Sequence, residues 1–188
     1  DGVQCLTQTE AVRCEKDADT QHLIVRNQTG EETIMSFDAL LCAVGRVPRT
    51  EGFGLEELGI PVSSRRTIET NAKLQTIYPN IYACGDAAGP YQFTHTAAHQ
   101  AWYASVNALF GDLKRFKVDY SVTPWTTFTD PEVARVGLSE NEAKTQGIAF
   151  EVTRYDLGDL DRAIADEAAH GFVKVLTVPG KDRILGVT

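Results

Sequence analysis

The sequence predicts an α/β region followed by an α+β region, and three observations carry this prediction. Residues 39–44 form a continuous apolar run, which is typical of a strand buried on both faces of a parallel sheet. Residues 94–110 are rich in alanine and contain neither glycine nor proline, which favours one long helix. From residue 125 onward, short segments alternate apolar and polar side chains, which indicates an antiparallel sheet with one covered face.

The composition is that of a globular protein and excludes two classes of partner. The chain has 188 residues, and 26 acidic against 18 basic side chains give a formal net charge of -8. Nucleic acid binding requires a clustered basic face, and no run of basic residues supplies one. The longest apolar stretches are far shorter than the roughly 20 residues that cross a bilayer, and no signal peptide opens the chain. We therefore expect a cytoplasmic protein that has no nucleic acid partner and no membrane span in these residues.

The first segment is predicted to form an antiparallel hairpin. Apolar and polar residues alternate over 22–26, resume over 33–36, and are separated by a turn at 29–31. The buried strand that follows ends abruptly at Gly45, and Pro48 marks the start of a linker.

Residues 77–86 place an acidic side chain at the end of a predicted strand. A Pro-Asn turn is followed by a short apolar strand over 81–84, and Gly85 and Asp86 come directly after it. Open α/β sheets bind ligands at the carboxyl ends of their strands. Because the long predicted helix begins just beyond Asp86, this place is the candidate ligand site.

A basic and polar linker over residues 114–117 leads into the region of alternating strands. The predicted strands there lie near residues 125–128, 133–136, 150–155 and 172–176. A helix interrupts them after Ser139, which forms a capping box with Glu142, and Gly147 ends that helix. The tail over 178–185 is predicted to turn and enter another strand.

The cysteines predict structural thiols rather than a metal or redox centre. None of the four, Cys5, Cys14, Cys42 and Cys84, stands in a CxxC pair. Cys42 and Cys84 lie within apolar, strand-like runs, so we expect both to be buried and inert.

Three stretches together resemble one known family. They are AVGRVP at 43–48, PNIYACGDA at 79–87 and FTDPEVARVGLSE at 128–140. In this order and at these separations they resemble the pyridine nucleotide-disulfide oxidoreductases, the family of dihydrolipoamide dehydrogenase, glutathione reductase and mercuric reductase. The resemblance covers essentially the whole chain, and the mercuric reductase and dihydrolipoamide dehydrogenase branch is the most similar.

The resemblance implies three regions and two cofactors, FAD and NAD(P)H. Residues 1–45 would close an NAD(P)-binding domain, and residues 46–115 would form the second part of a Rossmann-like FAD-binding domain. Residues 116–188 would form an incomplete dimerisation domain, through which two copies of the protein associate as a homodimer. The chain opens without methionine and stops within a strand-like run, so we expect it to be part of a longer protein.

The resemblance also implies which residues contact the cofactors. The side chain of Asp86 would accept hydrogen bonds from the ribityl chain of FAD, and Thr94 and His95 would approach the flavin ring through their backbone. The remaining implied contacts are Gly85 and Ala87 with FAD, and Ala43, Val44, Gly45 and Arg46 with the nicotinamide nucleotide.

Physical chemistry supports the flavin assignment independently of the family. A carboxylate is a good acceptor for a polyol hydroxyl, because a charge-assisted hydrogen bond is roughly twice as strong as a neutral one. The start of the predicted helix near Thr94 presents N–H groups and the positive end of the helix dipole. That end would stabilise negative charge developing on the pyrimidine edge of the flavin during reduction.

Simpler interpretations remain open for several of these residues. Asp86 could cap the turn that it begins, and Arg46 could anchor the linker through a surface ion pair. His95 and His99 lie four residues apart on the predicted helix and could share a metal ion. No third ligand with suitable spacing is evident, so we predict no metal site.

Several groups that the family uses for chemistry are missing from these residues. The chain has no GxGxxG fingerprint and no closely spaced redox cysteine pair, and the resemblance places the family's His-Pro and Glu acid-base groups beyond residue 188. We therefore expect no catalytic residue here and no turnover by this chain alone, although the intact protein would be an FAD-dependent NAD(P)H oxidoreductase. Its electron acceptor stays open between mercuric ion, lipoamide and another disulfide. The alternative is a non-catalytic dimerisation or interaction module that has lost its cofactor.

Overall fold

A computed structural model describes residues 2–188, which group into two compact units that divide after Arg46. The first unit is an antiparallel sheet of three strands in the order β1-β2-β3. The strands are β1 (Thr9–Asp17), β2 (Thr20–Asn27) and β3 (Glu32–Phe37).

The predicted hairpin of the first unit is confirmed. Strands β2 and β3 pair antiparallel, with Val25 opposite Thr33. The side-chain oxygen of Asn27 accepts a hydrogen bond from the Thr29 backbone N–H at 3.0 Å, which fixes the chain reversal between the strands. The neighbouring residues Ile24 and Val25 of β2 are both buried, at 1% and 8% exposed.

The prediction of a buried parallel strand over residues 40–44 is wrong. The structure has no strand there, and Leu41 and Val44 are 90% and 87% exposed. A parallel strand exists only between neighbours that run beside it, and every ladder in residues 2–188 is antiparallel. The apolar run therefore has no sheet partner within the described chain, and Cys42 is exposed along with it.

The long helix predicted over residues 94–110 is confirmed as α1 (Thr94–Phe110). Its buried residues recur at helical spacing on one face, and most of them are polar: Thr96, Gln100, Ala104 and Asn107. Buried polar side chains require hydrogen-bond partners, so this face ties the helix to specific backbone groups rather than to an apolar core.

The strand predicted just before Gly85 belongs to a local antiparallel pairing instead of a parallel sheet. The Thr76 N–H donates to the Ile81 carbonyl at 2.9 Å, and the Ala83 N–H donates to the Leu74 carbonyl at 3.0 Å. The alternation buries Ala83 and leaves Cys84 exposed, so the prediction of a buried Cys84 is wrong. Cys5 and Cys14 are exposed as well.

The antiparallel sheet predicted after residue 125 is confirmed as five strands in the order β4-β5-β8-β7-β6. They are β4 (Trp125–Thr127), β5 (Val133–Gly137), β6 (Glu151–Asp156), β7 (Phe172–Thr177) and β8 (Ile184–Val187). The expectation of one covered face fails for β6, whose residues are all exposed. As an edge strand, β6 has only β7 beside it in the described chain.

Two short helices accompany this sheet, α2 (Glu140–Thr145) and α3 (Asp161–Ala165). The predicted capping box is confirmed, since the Ser139 N–H donates to Glu142 Oε2 at 2.8 Å and the Glu142 N–H donates to Ser139 Oγ at 3.3 Å. Leu176 of β7 is fully buried. Among residues 2–188, no helix combines the length and the apolar character needed to cross a bilayer.

Candidate functional site

The predicted FAD contacts at residues 85–87 form one tight turn, which we name the Gly85 turn. Gly85 has φ +72°, a conformation that side chains with a Cβ rarely adopt. Its carbonyl accepts hydrogen bonds from the N–H groups of Ala88 and Gly89 at 3.0 and 3.1 Å. The Ala87 carbonyl accepts from Ile68 N–H at 2.7 Å. The turn is thus held by backbone bonds, and Asp86 stands half-buried at its centre.

The Gly85 turn packs directly against the second turn of α1. A Cβ at position 85 would lie 3.3 Å from the Cβ of Ala97, which is tighter than nearly all real contacts between such atoms. The Gly85 N–H also donates to Oε1 of Gln100 at 2.5 Å. Because Ala97 and Gln100 follow Thr94 and His95 on the same helix, the fold brings the two predicted groups of FAD contacts together.

The N-terminus of α1 offers hydrogen-bond donors that the helix does not use. Phe93 precedes the helix in an extended conformation and supplies no side-chain cap. The Ala97 N–H donates to the Phe93 carbonyl at 2.9 Å, so the N–H groups of Thr94, His95 and Thr96 lie ahead of the helical ladder. Such an end favours negative charge and oxygen acceptors.

A buried hydroxyl lies in the same first turn. Thr96 is 1% exposed, and its Oγ1 has no hydrogen-bond partner in the described structure. A buried, unpaired polar atom is destabilising by about 1–3 kcal/mol unless a partner satisfies it. The sequence did not single out Thr96, because its hydroxyl becomes conspicuous only when burial is known.

The rings of His95 and His99 contact the segment that follows the helix. His95 Nε2 lies 2.7 Å from the Pro124 carbonyl oxygen, and His99 Nε2 lies 3.0 Å from that of Asp119. Each ring is therefore engaged by a backbone carbonyl. In the part of the chain that the structure describes, no three His, Cys, Asp or Glu side chains gather into a metal-binding group.

A cavity of about 530 Å³ is lined in part by the segment that follows the helix, and it was not anticipated from the sequence. Aromatic rings form part of its wall, with Tyr91 in edge contact with both Tyr120 and Trp125 at centroid distances of 5.7 Å. Burial raises the pKa of Tyr120 above its usual value. Tyr91 lies 29 residues before Tyr120, so no local pattern could have grouped it with the other two rings.

The lining of the cavity also includes an ion pair. Arg135 binds both carboxylate oxygens of Glu142, and its guanidinium lies 4.4 Å from the ring centroid of Trp125. Hydrogen bonds from Arg135 and from the Ser139 backbone lower the pKa of Glu142 from 4.5 to about 2. The Glu142 carboxylate is therefore ionised at neutral pH, and it stabilises the domain through these hydrogen bonds.

The predicted contacts with the nicotinamide nucleotide belong to the unit that ends at Arg46. Ala43, Val44, Gly45 and Arg46 are all exposed and lie outside any strand. Their role in binding a nucleotide stays a prediction.

Two family matches together account for most of the chain. Residues 1–101 match the family described as pyridine nucleotide-disulphide oxidoreductase. Residues 123–188 match the dimerisation domain of the pyridine nucleotide-disulphide oxidoreductases.

Curated relatives include dihydrolipoyl dehydrogenases from several bacteria. That of Thermus scotoductus is 37% identical over 188 residues, which is 100% of this chain and 40% of the relative. That of Staphylococcus aureus is 34% identical over 185 residues, which is 98% of this chain and 39% of the relative. The chain therefore spans about two fifths of the length of the curated relatives that it matches.

Solved structures with the same fold include two bacterial proteins. LpdA from Mycobacterium tuberculosis superposes with a TM-score of 0.86 at 25% identity, over 99% of this chain and 39% of that one. RclA from Escherichia coli, an HOCl-induced flavoprotein disulfide reductase, superposes with a TM-score of 0.78 at 26% identity, over 95% of this chain and 40% of that one.

Proposed function

Because the chain belongs to the pyridine nucleotide-disulphide oxidoreductase family, we propose that it is the part of an FAD-dependent oxidoreductase that completes the flavin site and pairs two subunits. Members of this family, such as dihydrolipoyl dehydrogenase, use FAD and NAD(P)H. When bound, FAD supplies the redox chemistry that links NAD(P)H to the electron acceptor. The same proposal assigns a part to each region of the chain. Residues 1–45 close the NAD(P)-binding domain, with contacts to the nucleotide at Ala43–Arg46. Residues 46–115 form the second part of the FAD-binding domain, and residues 116–188 mediate dimerisation.

One observation carries the flavin assignment: the Gly85 turn packs on the helix whose N-terminal N–H groups have no side-chain cap. Because Gly85 has no side chain, the turn can lie in close contact with Ala97 of this helix.

Each group has a defined part in this proposal. The carboxylate of Asp86 accepts hydrogen bonds from hydroxyls of the ribityl chain and so orients the cofactor. The N–H groups of Thr94 and His95 face the ring edge where negative charge develops on reduction, and the helix dipole adds to their effect. The ring of His95 is held by Pro124, so its part in binding is through the backbone.

The electron acceptor is proposed to be a disulfide of the lipoamide type, because the curated relatives described above are dihydrolipoyl dehydrogenases. A metal-ion acceptor of the mercuric reductase type is the second candidate, from the resemblance of the sequence motifs. Because the chain lacks a closely spaced cysteine pair, residues 1–188 alone should have no reductase turnover. The competing function, a dimerisation module without cofactor, predicts a colourless protein.

The test is to purify the full-length protein, record its visible absorption spectrum and titrate FAD into the apoprotein. We expect a yellow protein, and we expect Asp86→Asn to weaken FAD binding by about tenfold, because a charge-assisted hydrogen bond becomes a neutral one. Asp112→Asn, at an exposed position just after α1, is the matched control and should bind FAD normally. A colourless protein that takes up no added FAD would contradict the proposal.

A further inference from the structure

One buried side chain bonds both ends of the segment 85–89, which begins with the Gly85 turn. Gln100 of α1 is fully buried, and its Oε1 accepts a hydrogen bond from the Gly85 N–H at 2.5 Å. Its Nε2 donates to the Gly89 carbonyl at 2.5 Å and to the Tyr120 hydroxyl at 2.7 Å. A single amide therefore bonds the first and last residues of the segment 85–89 and a residue beyond the helix.

The hydrogen-bonding capacity of this amide matches its surroundings. The NH₂ group of Gln100 has two N–H donors, and each has its own acceptor. Gly85 and Gly89 present one donor and one acceptor that are buried with it. Because unpaired buried backbone groups are strongly disfavoured, the turn is confined to the position where both bonds form.

The two hydrogen bonds also restrict the position of Asp86, which lies between Gly85 and Gly89. Gln100 is six residues after Thr94, so it lies about 9 Å along the helix axis from the N-terminal N–H groups. Fixing the turn to the helix therefore fixes the separation between the Asp86 carboxylate and those donors. Two groups that bind different parts of one ligand require such a fixed separation.

We propose that Gln100 is a positioning residue for FAD, which sets the distance between the Asp86 carboxylate and the N-terminus of α1. The inference rests on the proposed flavin function and deepens it, because Gln100 acts through the turn and the helix without touching the cofactor. Through Tyr120, the same amide also bonds the turn to the segment that lines the cavity.

The same helix provides a matched control. Asn107 is 3% exposed, donates from Nδ2 to the carbonyls of Lys73 and Phe116, and accepts from the Phe116 N–H. It too is a buried amide with three hydrogen bonds, yet none of its partners belongs to the Gly85 turn. It lies seven residues after Gln100, about 10 Å farther along the axis.

The experiment compares Gln100→Met with Asn107→Leu in the full-length protein. Both changes replace an amide by an apolar side chain of similar size, so both should lower the thermal unfolding midpoint. The dissociation constant for FAD and the flavin reduction potential are then measured below that midpoint. We expect Gln100→Met to raise the dissociation constant about tenfold and to shift the potential, while Asn107→Leu stays within about twofold of the wild type.

The outcomes separate the two proposals. If the wild type binds no FAD, the proposed function fails and this inference fails with it. If the wild type binds FAD and folded Gln100→Met matches it in affinity and potential, only the positioning role is overturned. Should Gln100→Met not fold, Gln100→Asn decides by the same criteria, because its shorter amide cannot span both ends of the turn.

Discussion

Arg135 of β5 donates from Nη2 to both carboxylate oxygens of Glu142 in α2, at 2.6 and 2.7 Å. The same carboxylate accepts a hydrogen bond from the Ser139 N–H at the start of α2. One side chain therefore closes the capping box and also binds the helix to the sheet. Because the pKa of Glu142 is lowered from 4.5 to about 2, its ionised form is the one that the fold stabilises.

Replacing Glu142 by Gln should destabilise the full-length protein by roughly 1 kcal/mol at pH 7, which is read as a lower thermal midpoint. This loss of stability is well below what the pKa shift implies, because the Glu142 side chain is 41% exposed and solvent screens its ion pair with Arg135. The contribution is complete above pH 4.5 and is lost as the pH falls toward about 2, where the folded carboxylate is protonated. The difference between variant and wild type should therefore narrow below pH 4.5.

The measurement is thermal unfolding followed by circular dichroism from pH 7 down to pH 2.5. Glu132→Gln, at an exposed position of the same domain, is the control and should leave the midpoint unchanged at pH 7. A difference between Glu142→Gln and the wild type that stays constant over this range would contradict the role of the ionised carboxylate.

Replacing Gly85 by Ala should weaken FAD binding, because the added Cβ meets Ala97 while the backbone is held at a positive φ. We expect about a tenfold increase in the dissociation constant, measured by quenching of flavin fluorescence. Gly59→Ala is the matched control, since Gly59 also has a positive φ but nothing lies within 4 Å of its added Cβ. Equal FAD affinities for both variants would show that the contact with α1 does not shape the site.

Replacing Thr96 by Val removes a buried hydroxyl that has no partner in the described structure. The apoprotein should be as stable as the wild type or more so, because an unsatisfied polar atom is lost and the shape is kept. FAD affinity should stay within about twofold of the wild type, because this hydroxyl is enclosed by the protein and a cofactor atom does not reach it.

The control is Thr76→Val, because the buried Thr76 hydroxyl donates to backbone carbonyls and accepts from the Tyr78 N–H. That change should destabilise the apoprotein. A loss of stability in Thr96→Val as large as that in Thr76→Val would contradict the absence of a partner for the Thr96 hydroxyl.

Replacing Gly186 by Ala should disrupt the junction of β5 and β8. Gly186 pairs with Gly137, and an added Cβ would collide with the backbone of Leu138. We expect a loss of about 1–3 kcal/mol, read as a lower midpoint in thermal unfolding, and a smaller dimer fraction in light scattering. Gly158→Ala is the matched control, because Gly158 has no positive φ and its added Cβ would make only an ordinary contact at 3.7 Å, so it should behave as the wild type in both measurements.

The elements that the sequence predicted correctly are those whose signals are local. Helix α1 lies within an alanine-rich stretch without glycine or proline and ends where Gly111 ends that stretch. The α2 capping box depends on Ser139 and Glu142, which lie three residues apart. The hairpin of β2 and β3 depends on alternation and on the turn between the strands. In each case the residues that specify the element are the residues that form it.

Tertiary structure decided what depends on partners remote in sequence. The apolar run at 40–44 has a sequence that is typical of a buried strand. Burial of such a strand requires neighbouring strands, and none lies beside this run in the described chain. The role of Gln100 depends on Gly85, Gly89 and Tyr120, which lie 15, 11 and 20 residues away. The local sequence around a helical glutamine does not indicate these hydrogen bonds, because they form only when the chain has folded and brought their partners together.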